Sequence, residues 1–231
     1  MRIAVSGSHC LGKSTFVQDF IKQWPMYSTP KEKYTDLKKK RNFTINESGT
    51  EESQRKILTF ISDQVIGKTK EDNIIFDRCV LDNLVYTLWL NNYDKVPNSL
   101  VKDTINAVRS TLIFYDVIFF TPITKVSPIN LEDSGHRSVD PIYRAEIDNI
   151  FKSLMQTYYK NSTVYFPFDH ELGCPAIIEL YGSREERIEL AKMYINKEGK
   201  SYGEGESLIA SEDLSPEEQA IFEYVNGVRL T

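Results

Sequence analysis

Short apolar runs alternate with longer amphipathic segments along most of this chain. Four runs predict buried β-strands, at Arg2–Ser6, Asn73–Asp77, Asp116–Thr121 and Thr163–Phe168. Apolar residues spaced three and four apart predict helices between and after them, over Lys13–Trp24, Glu51–Gly67, Val80–Leu90, Ser99–Phe114, Ile142–Tyr159 and Ser183–Ile195. This alternation predicts an α/β fold, a doubly wound parallel sheet with helices on both faces, in which ligands bind at the carboxyl ends of the strands.

The pattern changes in the last part of the chain, which opens with a stretch rich in Gly, Ser, Glu and Lys. Beyond it, Ser215 and Glu218 form a capping-box sequence that predicts a helix ending near Gly227. We therefore expect one domain over residues 1–196 and a tail over 197–231, made of a flexible linker and a C-terminal helix that docks on the domain. A disordered tail with transient helicity is the alternative.

The composition narrows the classes of protein to which this chain can belong. Its 231 residues suffice for one α/β domain with an appendage, and its net charge of −5 gives no overall attraction to nucleic acid or an anionic membrane. No apolar stretch approaches the ~20 residues of a membrane-spanning helix, and the N-terminus lacks a signal-peptide pattern, which predicts a cytoplasmic protein without membrane association. Cys10, Cys79 and Cys174 lack C-x-x-C spacing and the histidines are scattered, so neither a disulfide framework nor a zinc site is expected.

The first predicted strand is followed by GSHCLGKST, which matches the phosphate-binding pattern G-x-x-x-x-G-K-[ST]. Its glycines allow backbone N–H groups to surround an anion, and the helix that starts near Lys13 adds the positive end of its dipole. We expect Lys13 to contact the β- and γ-phosphates of ATP and the Ser14 hydroxyl to ligate Mg²⁺. His9 and Cys10 occupy variable positions, where a filler role is more common than chemistry. The predicted phosphate-binding residues are Gly7, Ser8, His9, Cys10, Leu11, Gly12, Lys13, Ser14 and Thr15.

A second candidate site follows the second predicted strand, at Asp77 and Arg78. An aspartate at the carboxyl end of a strand can accept the proton of an attacking hydroxyl or hold a magnesium-bound water, and the adjacent arginine can bind phosphate oxygens. The structural alternative is that Asp77 caps the next helix and Arg78 is solvated.

The run from Asp77 to Tyr86 resembles the D-R-[YFH]-x-x-S-x-x-[AS]-[YF] signature of thymidylate kinases. The acidic residue followed by arginine is also similar to the Glu-Arg-Ser motif of deoxynucleoside kinases. Asp77, Arg78 and Tyr86 match the signature, whereas Cys79 and Asp82 replace its aromatic and its serine, so the family's substrate contacts do not carry over to those two positions. Asp82 is predicted either to accept an extra hydrogen bond in the site of the phosphoryl-accepting substrate or to be an acid partner for Arg78 at helical spacing. The resemblance implies a P-loop NTPase fold of the kinase type.

A third stretch runs through a polar segment into a predicted helix and carries Arg137 and Arg144, seven residues apart. As part of a lid over about residues 130–146, these arginines would close on the transferred phosphoryl group and exclude water. The alternative is a surface helix whose arginines pair with nearby carboxylates, at Asp140, Glu146 or Asp148. The segment GHRSVDPIYRAEID resembles one in the ribosylnicotinamide-kinase domain of bacterial NAD-biosynthesis proteins and in related small kinases, many of them carried by bacteriophages.

The segment between the phosphate loop and the second site would hold acceptor-binding residues in such kinases. Gln54 and Arg55, at the start of a predicted helix, are candidates for facing a base or a sugar. Residues 38–41 form a basic run, Lys-Lys-Lys-Arg, which is either a solvated loop or a site for an anionic acceptor.

These features favour a kinase that moves the γ-phosphoryl group of ATP, with Mg²⁺, to a small nucleoside or nucleotide. Lys13 and Ser14 hold the donor in this scheme, and Asp77 orients or deprotonates the acceptor. The remaining catalytic candidates offset developing charge, namely Arg78, Arg137 and Arg144. A deoxynucleoside monophosphate acceptor, as in thymidylate kinases, fits Arg78 and the basic run and is the favoured prediction. A nucleoside acceptor fits Asp77 as a base.

Two alternative functions stay open, and so does the state of assembly. A kinase for polynucleotide 5′ ends or modified DNA bases needs a basic track, which the acidic balance of the chain disfavours. A nucleotide-driven switch or motor is a different class, but Thr124–Ser127 lacks the aspartate of the guanine-reading [NT]-K-x-D motif, and Asp77 is followed by a base rather than a second acid.

The predicted helix Val80–Leu90 is apolar enough to raise the possibility of a homodimer seam, with core packing as the more ordinary explanation.

Overall fold

The computed structural model describes residues 1–32, 45–68, 72–126, 140–160, 165–166 and 174–202. In this part of the chain, four parallel strands form one sheet in the order β2-β1-β3-β4, with β1 at Arg2–Ser6, β2 at Ile74–Asp77, β3 at Val117–Phe120 and β4 at Ala176–Glu179. The chain passes from β1 to β2 on one side and then to β3 on the other. The carboxyl end of β1 is therefore the switch point at which a crevice opens in such sheets.

Six α-helices accompany these strands in the described residues. They are α1 at Lys13–Gln23, α2 at Glu51–Ile66, α3 at Val80–Asn92, α4 at Asn98–Thr111, α5 at Pro141–Tyr159 and α6 at Arg184–Lys192, with short 3₁₀ turns at Asn46–Ser48 and Leu112–Phe114.

Helices cover both faces of the sheet because side chains alternate along each strand. Ile3 and Val5 of β1 pack with α1 and α6 on one face, and Ala4 packs with α2 to α5 on the other. The prediction of a doubly wound parallel sheet is confirmed, and the core is split into two apolar layers by the sheet.

Polar residues set the beginnings of several helices. Thr50 and Ser53 form a reciprocal capping pair at α2, and Ser183 and Glu186 form another at α6. The Asp140 carboxylate caps α5 by accepting the backbone N–H groups of residues 142 and 143, at 2.8 and 3.4 Å.

Three of the four predicted strands are confirmed to within a residue at each end, and all six helices lie where apolar spacing predicts them. The fourth predicted strand, Thr163–Phe168, is wrong in its described part, since Tyr165 and Phe166 form a turn and a bend. Phe166 still buries its ring against Tyr158, so the apolar character of this run supplies core rather than a strand. The fourth strand is β4, an edge strand that exposes two of its four residues and thus carries a weak apolar signal.

Residues 197–202, which the sequence assigns to the predicted tail, are among the described residues. Residues 195–202 turn back on α1, where the Trp24 indole N–H donates to the Asn196 carbonyl at 2.7 Å and the Tyr27 hydroxyl donates to the Gly199 carbonyl at 2.6 Å. The rest of the predicted linker and the C-terminal helix lie outside the described residues.

Helix α3 uses its apolar residues inside the chain's own core. Leu84 and Val85 are fully buried, Trp89 is nearly so, and Leu88 packs against the same cluster. Core packing therefore accounts for the apolar composition that raised the homodimer alternative. In the described ranges, no helix combines the length and apolar character needed to cross a membrane.

The aromatic cluster around Phe20 is expected to dominate the layer beneath α1. Phe20 is fully buried, with its ring 4.4 Å from that of Trp24 and 5.1 Å from that of Tyr27. Replacing Phe20 by Ala should lower the free energy of unfolding by about 3 to 5 kcal/mol, because it leaves a cavity that the neighbouring rings cannot fill. Urea unfolding monitored by circular dichroism measures this change. Ile66→Ala, at a side chain that is half exposed, is the control and should change stability little.

Candidate active site

The phosphate-binding loop connects β1 to α1, and both of its glycines are required by geometry. Gly7 has φ of 139°, and a Cβ atom there would lie 2.5 Å from the Thr121 carbonyl oxygen. Gly12 has φ of 75° and occupies the N-cap of α1. These are conformations that side-chain-bearing residues rarely adopt, so the loop is shaped by its two glycines and by the end of β3.

The Lys13 side chain folds back into this loop. Only 5 % of the residue is exposed, and its Nζ donates to the carbonyl oxygens of Gly7, at 2.8 Å, and of Ser8. An ammonium group is thereby held within the ring of loop peptides, at the start of a helix whose dipole is also positive. This end of the molecule is built to attract an anion.

Asp77 meets the phosphate loop directly. Strand pairing places Asp77 beside Val5 at the carboxyl end of β1, and the Ser14 Oγ donates to Asp77 Oδ2 at 2.5 Å. The loop and the second site predicted from sequence are therefore parts of one site. A hydroxyl and a carboxylate oxygen are ligands of the type that Mg²⁺ prefers, so this pair fits a magnesium ion that is completed by nucleotide phosphates and water. The described residues contain no cluster of three or more His, Cys, Asp or Glu side chains that would hold a metal without such a ligand.

Arg78 is held by Asp82. The Arg78 Nη1 donates to Asp82 Oδ1 at 3.0 Å, and Asp82, only 2 % exposed, also accepts from the Ser6 hydroxyl at 2.9 Å and the Cys79 backbone N–H at 3.0 Å. The structural alternative for this stretch is wrong, because the helix cap is Cys79 and Arg78 is paired rather than solvated. The predicted acid partnership of Asp82 with Arg78 is confirmed.

The backbone at Arg78 is unusual. Its φ of 96° lies in a region that non-glycine residues seldom occupy, and such conformations persist only where surrounding contacts enforce them. The buried Asp82 carboxylate and a hydrogen bond from the Arg78 N–H to the Val5 carbonyl, at 3.0 Å, supply that enforcement here.

A narrow cleft of about 20 Å³, with room for about one water molecule, opens beside this ion pair. Gln54, an acceptor-site candidate, lies in its wall, and its Oε1 accepts from the Asn83 side-chain amide at 2.9 Å. Arg55 points elsewhere and pairs with Glu51 and Asp103. The cleft thus combines amides, one ion pair and an apolar wall, and its lining residues are Asn46, Gln54, Ile57, Ile61, Arg78, Asp82, Asn83 and Tyr86. The basic run at residues 38–41 lies outside the described residues.

The first turn of α5 brings Arg144 to the phosphate loop. The Ser8 hydroxyl donates to the Arg144 carbonyl at 3.5 Å, and the Arg144 Nε is buried with no hydrogen-bond partner among the described residues. None of the three nearby carboxylates pairs with it in this part of the chain, since Asp140 caps the helix, Glu146 accepts from the Trp89 indole and Asp148 pairs with Lys152. Arg137 and the rest of the predicted lid up to residue 139 lie outside the described residues.

The side-chain contacts of two residues of the site were not predicted. His9 is 3 % exposed, its Nδ1 lies 3.2 Å from the Tyr86 hydroxyl, and its ring stacks on Tyr143 at 5.4 Å. Tyr143 in turn meets the edge of Trp89 at 4.6 Å, so a column of rings connects the loop to α3 and α5. Only the position of His9 within the loop hints at this role in the sequence.

Arg187 of α6 is the second such residue. Its Nη1 donates to the Leu11 carbonyl of the loop at 2.7 Å. Since the two residues are 176 positions apart, no local spacing could have signalled the contact.

Comparison with known proteins agrees with this architecture. A family model described as an AAA domain matches residues 2–187, and the chain belongs to this family. No curated protein sequence gives a significant match.

Solved structures show the same fold. A deoxyadenosine kinase from M. mycoides with the products dCMP and dCDP bound is 19 % identical, with a TM-score of 0.55, covering 83 % of this chain and 96 % of its own. The NadR protein in complex with NR is 16 % identical, with a TM-score of 0.57, covering 84 % of this chain and 51 % of its own. The chain thus has the fold of the P-loop nucleoside and nucleotide kinases.

Removing the Asp82 carboxylate should destabilise the protein more than breaking any one exposed ion pair does. Asp82→Ala leaves the Arg78 guanidinium, the Ser6 hydroxyl and the Cys79 N–H without their shared acceptor. We expect the free energy of unfolding to fall by about 3 kcal/mol. Asp103→Ala, which breaks a surface pair with Arg55, is the matched control and should have little effect. Equal chemical denaturation midpoints for the two variants would contradict the assignment.

Proposed function

We propose that this protein is an ATP- and Mg²⁺-dependent kinase that phosphorylates a small nucleoside or nucleotide. The observation that carries the proposal is the contact between Ser14 of the phosphate loop and Asp77 at the end of β2. It brings a nucleotide-binding loop and a carboxylate suited to acid–base chemistry to the same point, beside a narrow cleft lined by amides, the Arg78–Asp82 pair and apolar side chains.

The donor side uses residues of the loop and α1. Lys13 and the loop N–H groups bind the phosphates, for which Lys13 exchanges the carbonyl contacts that it makes in this structure. Ser14 and Asp77 are the residues suited to hold Mg²⁺, which would neutralise charge on the β- and γ-phosphates. The peptide groups are already arranged around the anion site, so little reorganisation is needed at the moment of transfer.

The acceptor side uses the ends of β2 and α3. An acceptor oxygen attacks the γ-phosphorus, the bond from that phosphorus to the β–γ bridging oxygen breaks, and ADP leaves. Asp77 accepts the proton of an acceptor hydroxyl, directly or through water. Arg78, oriented by Asp82, lies where it can bind acceptor oxygens, and Arg144, whose Nε has no partner among the described residues, can donate to the transferred phosphoryl group.

The charge of the described cleft favours a nucleoside as acceptor. Its lining contains one cation, Arg78, whose charge is balanced by Asp82 at 3.0 Å. An uncharged nucleoside fits this balance better than a doubly charged monophosphate, and Asp77 supplies the base that a hydroxyl acceptor requires. The similar fold of a protein named as a deoxyadenosine kinase, which acts on a nucleoside, supports the same preference.

A deoxynucleoside monophosphate acceptor is the second candidate. It is favoured by the resemblance of Asp77, Arg78 and Tyr86 to the thymidylate-kinase signature, and by the cations at positions 38–41 and 137. A monophosphate would draw on those cations to balance its charge.

Substitution of Asp77 separates catalysis from nucleotide binding. Asp77→Asn keeps the size of the side chain but removes its basicity, so phosphoryl transfer should fall about 10²- to 10⁴-fold, while ADP binding measured without Mg²⁺ stays close to wild type. Lys13→Met should instead weaken ADP binding. Asp72→Asn, close to the opposite end of the same strand, is the control. Transfer at the wild-type rate by the Asp77 variant would rule out its role as base, and calorimetry with ADP tests the binding half.

An acceptor panel tests the function itself. ATP and Mg²⁺ are incubated with nucleosides, nucleoside monophosphates, ribosylnicotinamide and 5′-hydroxyl oligonucleotides, and products are identified by mass spectrometry. We expect a nucleoside heavier by one phosphoryl group. A phosphorylated monophosphate would favour the second candidate, and a phosphorylated oligonucleotide would indicate a polynucleotide kinase. ATP hydrolysis indifferent to every acceptor would overturn the proposal in favour of a switch or motor.

A further inference from the structure

Arg187 contacts the phosphate loop although it lies 176 residues later in the chain than its partner Leu11. It lies on α6, is 5 % exposed, and donates from Nη1 to the Leu11 carbonyl at 2.7 Å and from Nε to the Gly182 carbonyl at 3.2 Å. Its Nη1 also lies 3.3 Å from the position that a Cβ atom on Gly12 would take. The guanidinium is therefore packed against the peptide that ends the loop.

The charge on this guanidinium is buried. Over the described ranges Arg187 forms no ion pair, and burial lowers its pKa without an acidic neighbour to offset that effect. Arg184, one turn earlier on α6, is the opposite case, because it is exposed and binds Asp19 with two hydrogen bonds of 2.7 and 2.9 Å. A buried cation that contacts only carbonyl dipoles is costly, and it lies at the positive end of α1, which increases the cost.

The contact with Leu11 also sets the direction of a loop N–H group. The carbonyl of Leu11 and the N–H of Gly12 belong to one trans peptide, so they point in opposite directions. With its carbonyl held on the outside by Arg187, this peptide must direct the Gly12 N–H to the other side, into the loop. Gly12 has a φ of 75°, and a glycine-flanked peptide without such a contact can rotate to the reverse orientation at little cost.

We propose that Arg187 is a positioning residue for the donor nucleotide, which locks the Leu11–Gly12 peptide with its N–H toward the phosphates and supplies a positive charge that a bound polyphosphate balances. The inference rests on the proposed function only in taking the loop as a nucleotide site. Arg187 acts from behind the loop and does not touch the substrate. Hydrogen bonding of the carbonyl to a cation also polarises the peptide, which makes its N–H a stronger donor.

The test compares side chains of different charge and shape at position 187, and two ligands that differ in their number of phosphates. Binding of AMP-PNP and of AMP, each with Mg²⁺, is measured by calorimetry for wild type, Arg187→Met, Arg187→Lys and Arg184→Met. We expect Arg187→Met to weaken AMP-PNP binding by about tenfold or more and AMP binding far less, because AMP lacks the phosphates that this loop holds. Arg187→Lys should retain most of the AMP-PNP affinity, and Arg184→Met should retain all of it.

Several results would overturn the inference. One is wild-type affinity of Arg187→Met for AMP-PNP, and another is an equal loss for AMP and AMP-PNP, which indicates general damage to the fold. Equal weakening by Arg187→Lys and Arg187→Met would remove the role of charge. If Arg187→Met fails to fold, Arg187→Gln replaces it. Its amide can donate to a carbonyl without bearing charge, so it should show a smaller loss that is still selective for AMP-PNP. Failure of wild type to bind AMP-PNP at all would instead refute the proposed function.

Discussion

The site depends on one buried carboxylate, that of Asp82. It accepts hydrogen bonds from the end of β1, through Ser6, from the first backbone N–H of α3, through Cys79, and from the Arg78 guanidinium. A carboxylate buried at this depth is stable only while its partners stay in place, so it locks two adjacent strand ends and a helix start into one arrangement. The strained Arg78 backbone follows from that arrangement, since Arg78 lies in the short connection between β2 and α3 that Asp82 closes.

The donor side and the acceptor side of the site are built from the same structural elements around Asp82. Strand β2 contributes Asp77 to the phosphate loop and Arg78 to the cleft, and Tyr86 lines the cleft while meeting His9 of the loop. The two half-sites therefore have no flexible connection between them, and their separation is set by the strand spacing of a sheet. Such rigidity suits a reaction in which catalysis consists largely of alignment and electrostatic stabilisation.

Patterns in the sequence predicted those features that depend on contacts between residues close together in the chain. The glycine loop, the helices and the Arg78–Asp82 pair depend on residues within about two helical turns of each other, and all were found from spacing alone. The edge strand β4 was missed because a half-exposed strand carries little apolar signal, whereas the more apolar run at Tyr165–Phe166 is drawn into the core from a turn. The contacts of His9 with Tyr86 and of Arg187 with Leu11 were missed because the partners are distant in the chain and meet only in the folded structure.

The column of rings that starts at His9 has an optical consequence. The chain contains two tryptophans, of which Trp24 is buried against α1 and the turn at residues 195–202, whereas Trp89 stands edge-on to Tyr143 in the column. Tryptophan emission depends on the rings and dipoles within a few ångströms, so any ligand that shifts the phosphate loop alters the surroundings of only one of the two emitters. Trp89 is therefore expected to report movement of the loop through Tyr143 and His9, with Trp24 as an internal reference.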